Sequence, residues 1–268
     1  MLRDITIGQY YAADSVIHRL DPRTKLLATL AYLVSLFLFD FPGVYVLAAF
    51  FLALVVILSK VPFGYMVKGL KPVLFLLLFT VLMNMLFTKG EVLWSYWKIT
   101  ITKEGVMQAF YMAVRLILLI LGSNVMTLTT TPTRLTNAIE AVMRPLKVIR
   151  VPVHEIAMMM SIALRFIPIL LDETDKIMKA QQARGADFES GNFIQRARSM
   201  VPILVPLFIS AFRRANDLAM AMEARCYHGG RGRTQMKPLR YALRDWLAYA
   251  VVLLYLAGMA VIGRRIFW

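Results

Sequence analysis

One cysteine, Cys226, and three histidines, His18, His154 and His228, are all that 268 residues contain of either type. A lone cysteine cannot close an internal disulfide. The histidines stand far apart without the short spacing of a metal site, so no catalytic or structural metal is expected. Acidic groups are scarce too: 16 Asp and Glu face 31 Lys and Arg. Charged residues of all kinds make up 18% of the chain, below the roughly 25% of a soluble domain. The N-terminal stretch, up to Lys25, has no apolar h-region and is not expected to be a cleavable secretion signal.

What abounds is apolar. Hydrophobic residues make up 59%, against roughly 45–50% in soluble domains, and the mean hydropathy is +0.62. A soluble globule of this size cannot hide so much apolar surface, and a disordered chain does not carry it. The net charge of +15 does not make a nucleic-acid binder, because the cations lie between apolar runs of membrane-spanning length. The composition is that of an all-α polytopic membrane protein.

Five spans are expected: Leu26–Phe39, Val44–Leu58, Pro72–Phe87, Val106–Thr130 and Trp246–Gly263. The first two are short, but their flanks extend them toward the roughly 20 residues a bilayer requires. Asp40 and the Phe41-Pro42-Gly43 turn join them as a hairpin. Orientation follows from the excess of Lys and Arg on cytoplasmic segments. The N-terminal segment, the loop at Lys60 to Lys71 and the stretch Thr131–Arg244 together hold 25 of the 31 basic residues, which places them in the cytoplasm of a plasma-membrane protein. Lys89, Lys98 and Lys103 weaken the alternation, although the Trp94-Tyr96-Trp97 cluster beside them suits an outer interfacial segment. Five spans put the C-terminus outside, against the weight of Arg264 and Arg265. Arg115 lies inside the fourth span, either as a functional charge or as one satisfied within the bundle.

The chain therefore divides into an N-terminal segment with four spans (1–130), a cytoplasmic domain (131–240) and a last span (241–268). Pro132 opens a short helix to about Val148. Pro152 opens a second to Arg184, and a third runs from about Phe193 to Cys226, stopped by Gly229-Gly230. The two long helices, about 33 residues each, would measure about 50 Å, beyond the roughly 30 Å of the hydrocarbon core. Their N-terminal halves are apolar and their C-terminal halves charged, so they are expected to lie along the membrane face rather than cross it. Pro168, Pro202 and Pro206 permit kinks.

These two helices form a degenerate repeat. Pro168-Ile169-Leu170 matches Pro202-Ile203-Leu204, and Ala183-Arg184-Gly185 matches Ala224-Arg225-Cys226. Proline and arginine are separated by 16 residues in one and 23 in the other; the difference is about two helical turns, so both arginines can leave on a similar face. Small neighbours leave a guanidinium free to enter a groove and bind carboxylates or carbonyls. One such arginine would only complement the helix dipole; two in matching contexts read as paired docking anchors. Met158, Met159, Met160, Met200, Met220 and Met222 also lie on these helices. Each alone is ordinary core filling; together they suit a surface that repacks against partners.

At these residues the chain resembles the transmembrane T component of energy-coupling factor transporters, ABC-type importers of vitamins and trace metals. Three features carry the resemblance. The first is Gly8-x-Tyr10 with Asp14-Ser15-x-x-His18-x-Leu20-Asp21-Pro22-Arg23-x-Lys25 leading into the first span. The second is the pair of Ala-Arg-small motifs ending long helices, and the third is a last span after a basic linker. The resemblance covers essentially the whole chain; Cys226 departs from it, standing where the family usually has glycine. It implies a membrane bundle plus a coupling domain of one short and two long helices crossed in an X. Ala183, Arg184, Gly185, Ala224, Arg225 and Cys226 would dock into grooves on two ABC ATPase subunits, a homo- or heterodimer. A membrane-embedded S component would bind the substrate and lean on the coupling helices at Met158, Met159, Met160 and Met200. The chain itself would be non-catalytic and hold no cofactor, with ATP and Mg²⁺ bound by the partner ATPases. The absence of a GxxxxGK[ST] phosphate loop agrees.

Three rival readings carry less of the sequence. A membrane enzyme of the prenyltransferase type would use Asp172, Glu173 and Asp175, but Mg²⁺ sites of that sort need facing acidic motifs, and Lys176 and Lys179 make this cluster a solvated face. A conventional ABC permease would need polar groups lining its own substrate path. A membrane-anchored nucleic-acid binder is not needed to explain charge that topology and anionic headgroups explain. The N-terminal Asp14-Ser15 and Asp21-Pro22-Arg23 are expected to be caps and turns that fix the start of the first span.

Overall fold

In a computed structural model the described residues are 10–39, 41–96, 99–186, 188, 192–230, 236 and 238–264. They are mostly helical: α1 (Pro22–Leu38), α2 (Pro42–Ser59), α3 (Phe63–Lys68), α4 (Leu74–Phe87), α5 (Lys103–Thr129), α6 (Pro132–Met143), α7 (Val153–Ala183), α8 (Phe193–Ala224) and α9 (Leu243–Arg264). Short 3-10 turns at Lys71–Val73 and Arg144–Ile149 precede α4 and follow α6. The chain divides into two compact units, one of residues 139–238 and the other of 8–138 with 239–268, the boundary falling within α6.

Five helical stretches among the described residues are long and apolar enough to cross a membrane: Pro42–Ser59, Phe63–Phe87, Lys103–Thr129, Val153–Ala183 and Leu243–Gly263. The number matches the expectation but the membership differs. α1, expected as the first span, is 17 residues long, at the lower end of the roughly 17–25 residues of a spanning helix, and so falls just outside these five. The third span begins at Phe63 rather than Pro72, because the chain stays helical or turned through Gly69-Leu70 and Lys71–Val73. α7 qualifies because its apolar N-terminal half fills a span-length window before the charges at Asp172 begin. The segment after α4 contains an antiparallel hairpin, β1 (Val92–Tyr96) and β2 (Ile99–Thr102). Alternation of Val, Trp, Thr and Ile there favours strand over helix.

In the unit of residues 8–138 and 239–268, α5 packs on α1, α2 and α4, and α9 packs on α1 and α2. The core joins Leu36 of α1, Val44, Ala48 and Leu52 of α2, Leu118, Val125 and Leu128 of α5, and Tyr255 and Met259 of α9. Phe51 and Tyr255 stack at 4.4 Å, and Ser35 Oγ and the Tyr255 hydroxyl share a hydrogen bond of 2.9 Å between α1 and α9. Gly122 of α5 lets this cluster close: a Cβ there would stand 2.5 Å from the Tyr32 ring. The outer faces are apolar as well. Phe75 of α4 is 80% exposed and Leu78 66%, a surface made for lipid rather than water. Arg115 is satisfied inside the bundle. Its Nε donates to the Tyr45 hydroxyl of α2 at 3.0 Å, and its guanidinium lies 5.7 Å from the centre of that ring.

The polar N-terminal motif does what its residue types predict. Asp21 caps α1 by accepting from Arg23 N at 2.9 Å. Asp245, at the start of α9, accepts from Asp21 N and Ala242 N, each at 2.8 Å. Lys25 Nζ donates to the carbonyls of Thr129 at 2.8 Å and His18 at 3.3 Å. The start of α1, the end of α5 and the start of α9 are thereby tied at one level. Ahead of α1, His18 is buried, with Nδ1 2.7 Å from Ser15 Oγ and Nε2 3.0 Å from the Tyr11 carbonyl. Burial pushes its imidazole below the usual 6.5, with the Tyr11 hydrogen bond acting the other way. The unfolded chain therefore takes up this proton first. Stability from His18 is fully present above about pH 6.5 and is lost as pH falls below it. The melting temperature is expected to drop between pH 7.5 and 5.5 by more in the wild type than in His18→Gln. Parallel profiles would show that His18 stays protonation-neutral to folding.

Candidate functional site

The candidate site lies wholly within residues 139–238. α7 and α8 pack against each other in antiparallel sense, Glu173 opposite Ser210 and Arg214, and Gln181 opposite Pro202. Asn192 starts α8 with a capping box: its side chain accepts from the N3 backbone, and Gln195 Oε1 accepts from Asn192 N at 3.0 Å. Prolines inside the helices have a visible consequence. Pro206 has no N–H to give the Pro202 carbonyl one turn back. Gln181 Nε2 of α7 donates to that oxygen instead, at a long 3.5 Å.

Glu173 was expected on a solvated face beside Lys176 and Lys179. It instead takes hydrogen bonds from Ser210 and Arg214 on α8. The reason is register: Glu173 falls on the face of α7 that meets α8, where a partly buried carboxylate requires a cation. Glu173 is thereby engaged away from Asp172 and Asp175, and among the described residues no three His, Cys, Asp or Glu are placed to hold a metal ion.

The two arginine motifs end their helices in the same way. α7 closes at Ala183 with Arg184 as its cap at φ −87°, ψ 5°, and α8 closes at Ala224 with Arg225 at φ −94°, ψ 15°. The next residue is left-handed in both, Gly185 at φ +89° and Cys226 at φ +54°. In the first, Gly185 N donates to the Gln182 carbonyl at 2.9 Å and Ala186 N to Gln181 at 3.0 Å. In the second, Cys226 N donates to Glu223 at 2.8 Å and Tyr227 N to Met222 at 3.0 Å. Both are complete Schellman endings. Cys226 thus takes the conformation that glycine takes in the first copy, and the departure at this position leaves the ending unchanged. Ala183, Arg184, Gly185, Ala224, Arg225 and Cys226 are all exposed. Among the described residues, neither guanidinium has a hydrogen bond or ion pair.

A left-handed conformation costs a non-glycine residue about 1–2 kcal/mol. Cys226→Gly is therefore expected to raise stability by up to about 1 kcal/mol, glycine's greater unfolded-state entropy offsetting part of the gain. Cys226→Val, β-branched, should lower it. Thermal melts of the three proteins check this order; a Cys226→Gly melt below wild type would contradict it.

Of the methionines singled out by residue type, Met159, Met160 and Met200 are 57%, 36% and 51% exposed, and Met158 is half-buried. The larger apolar surface is one the methionine count missed. On α8, Val201, Leu204, Val205, Phe208 and Phe212 are between 47% and 68% exposed, while Ile203 is buried. Their spacing of three and four residues was the available signal.

Residues 13–236 match the family described as CbiQ, cobalt transport protein. Three relatives carry the name energy-coupling factor transporter transmembrane protein EcfT. That of Ruminiclostridium cellulolyticum is 54% identical over 256 residues, covering 96% of each chain. That of Thermosediminibacter oceani is 53% identical over 268 residues, all of both chains. That of Clostridium kluyveri is 52% identical over 270 aligned positions, covering 100% of this chain and 99% of its own.

Proposed function

From the premise that the chain belongs to the family of energy-coupling factor transporter transmembrane proteins, we propose that it couples ATP hydrolysis in partner subunits to substrate uptake. It is a multi-pass membrane protein and a transporter component. The finer reading is that Arg184 and Arg225 dock into grooves on two ABC ATPase subunits, which hold ATP and Mg²⁺. The N-terminus and residues 131–240 face the cytoplasm, and α7 and α8 are the coupling helices. A membrane-embedded S component, carrying a vitamin or related micronutrient, leans on the apolar face of α8 and on the exposed methionines.

The observation that carries this reading is the pair of identical helix endings. Two long helices that touch each other each present one exposed arginine at the same cap position, followed by a left-handed small residue. A helix-dipole role would place a cation anywhere in the last turn. It does not ask for the same cap geometry twice. Relative motion of two ATPase subunits would move the two caps, and the α7–α8 contacts at Glu173, Arg214, Gln181 and Pro202 would carry the motion along the helices. The apolar face of α8, exposed and aliphatic or aromatic from Val201 to Phe212, has the composition to meet a membrane protein.

The test is co-expression with ABC ATPase and S-component candidates, followed by co-purification and ATP-driven uptake in proteoliposomes. The expected result is a stable complex in which uptake needs all components and this chain alone neither hydrolyses ATP nor retains substrate. Substrate retention by the chain alone would overturn the reading in favour of a permease. Catalytic turnover by the chain alone would overturn it in favour of an enzyme.

A further inference from the structure

Two cavities in the unit of residues 8–138 and 239–268 meet at Arg244. The first, about 280 Å³, is a slot between α1, α2, α5 and α9. Its walls come from the two turns of each helix nearest one face of the bundle, Lys25 to Tyr32, Phe51 to Leu58, Gly122 to Thr129 and Arg244 to Val252, with Val16, Ile17 and Leu20 ahead of α1. Seven or eight rises of 1.5 Å make the slot about 10–12 Å deep. The lining is almost wholly aliphatic and aromatic, and its polar groups Lys25, Thr129 and Arg244 belong to the end where the three helix termini are tied together, with Thr29 one turn further in. The second cavity, about 550 Å³, is open and polar, and is lined by Asp14, His18, Arg19, Arg134 and Arg244 among others.

The charges around this pair do not balance. Arg19 is paired with Asp14. Arg23 and Lys25 stand beside the buried carboxylates of Asp21 and Asp245. Arg134 and Arg244 are left, both exposed and, among the described residues, without an ion pair. An apolar slot with Arg244 at its end, beside a polar cavity that adds Arg134, suits an amphiphile with an anionic head. Basic pockets between helices at a membrane face bind such headgroups, and guanidinium suits phosphate better than ammonium does.

We propose that these joined cavities hold one anionic phospholipid, an acyl chain in the slot between α1, α2, α5 and α9 and its phosphate against Arg134 and Arg244. A zwitterionic lipid fits the slot equally but brings an ammonium toward the same cations. A free phosphate ester satisfies the arginines but leaves the slot empty. The site involves neither Arg184 nor Arg225, so it stands or falls independently of the coupling role.

The test is titration of the delipidated full chain in detergent with phosphatidylglycerol and with phosphatidylcholine of the same acyl chains, read by native mass spectrometry, with soluble glycerol 3-phosphate as competitor. Phosphatidylglycerol is expected to bind at least tenfold more tightly than phosphatidylcholine. Arg134→Ala/Arg244→Ala should bring the two lipids level, and because both side chains are exposed its melting temperature should stay at the wild-type value. Ala248→Phe, which fills the slot, should weaken both lipids about tenfold. Millimolar glycerol 3-phosphate should not displace the lipid. Equal binding of the two lipids by wild type, unchanged selectivity in the double variant, or displacement by glycerol 3-phosphate would each overturn the proposal. So would the failure of either lipid to bind at one per chain, as would happen if another segment of the protein filled the slot.

Discussion

Arg184→Ala/Arg225→Ala is expected to abolish association with the ATPase subunits while leaving the chain folded. An arginine that anchors an interface contributes about 2 kcal/mol or more, so each single substitution should weaken binding about thirtyfold and the pair about a thousandfold. Energised uptake should fall with it. The fold should be indifferent. Both side chains are exposed, and each offers its helix only the modest end-charge term of about 0.3–1 kcal/mol. Arg184→Lys should recover part of the binding, because an ammonium keeps the charge but loses the planar fork. The measurement is a pull-down titration beside a melting curve. Wild-type affinity in the double variant would reduce the arginines to helix-end residues and remove the main support for the coupling role.

Asp245→Ala is expected to be the most destabilising single polar change in the unit of residues 8–138 and 239–268. Asp245 is 2% exposed and its two oxygens accept from Asp21 N and Ala242 N at 2.8 Å. Truncation leaves the Asp21 N–H buried without an acceptor and takes away a negative charge beside Lys25, itself 7% exposed. Hydrogen bonds to a charged group are worth about 1.5–3 kcal/mol each, so a loss of about 3 kcal/mol is expected, with a fall of several degrees in melting temperature. Asp245→Asn keeps one acceptor and should lose about half as much. A melting temperature unchanged in Asp245→Ala would show that the joint between α1 and α9 is held by its apolar contacts alone. This change touches none of the residues in 139–238, so its effect on ATPase binding should be no larger than its effect on the amount of folded protein.

The order and ends of the helices were legible because they are local. Proline at a first helical position, Asp21 and Asn192 as caps and a small residue after each arginine act within one or two turns of chain. Helix starts at Pro22, Pro132, Val153 and Phe193 follow from them. The paired arginines were legible for the same reason: a cap is read from four or five consecutive residues. That Cys226 would reproduce the ending at Gly185 was not, because a residue other than glycine gives no warning that it will sit at positive φ.

What sequence by itself determined was therefore a membrane protein, the places where its helices stop, and two arginines at matching stops. Tertiary structure decided the rest. It turned Glu173 from a solvated residue into the partner of Arg214, because which face of α7 meets α8 depends on a helix 37 residues away for Ser210. It gave Arg115 the Tyr45 hydroxyl from across the bundle. It let Gln181 take up a carbonyl that Pro206 had freed on another helix. It also put a hairpin after α4. Each of these depends on a group brought from elsewhere in the chain to satisfy a buried charge, an unpaired carbonyl or an apolar face, and pairing over that distance leaves no periodic mark in the sequence.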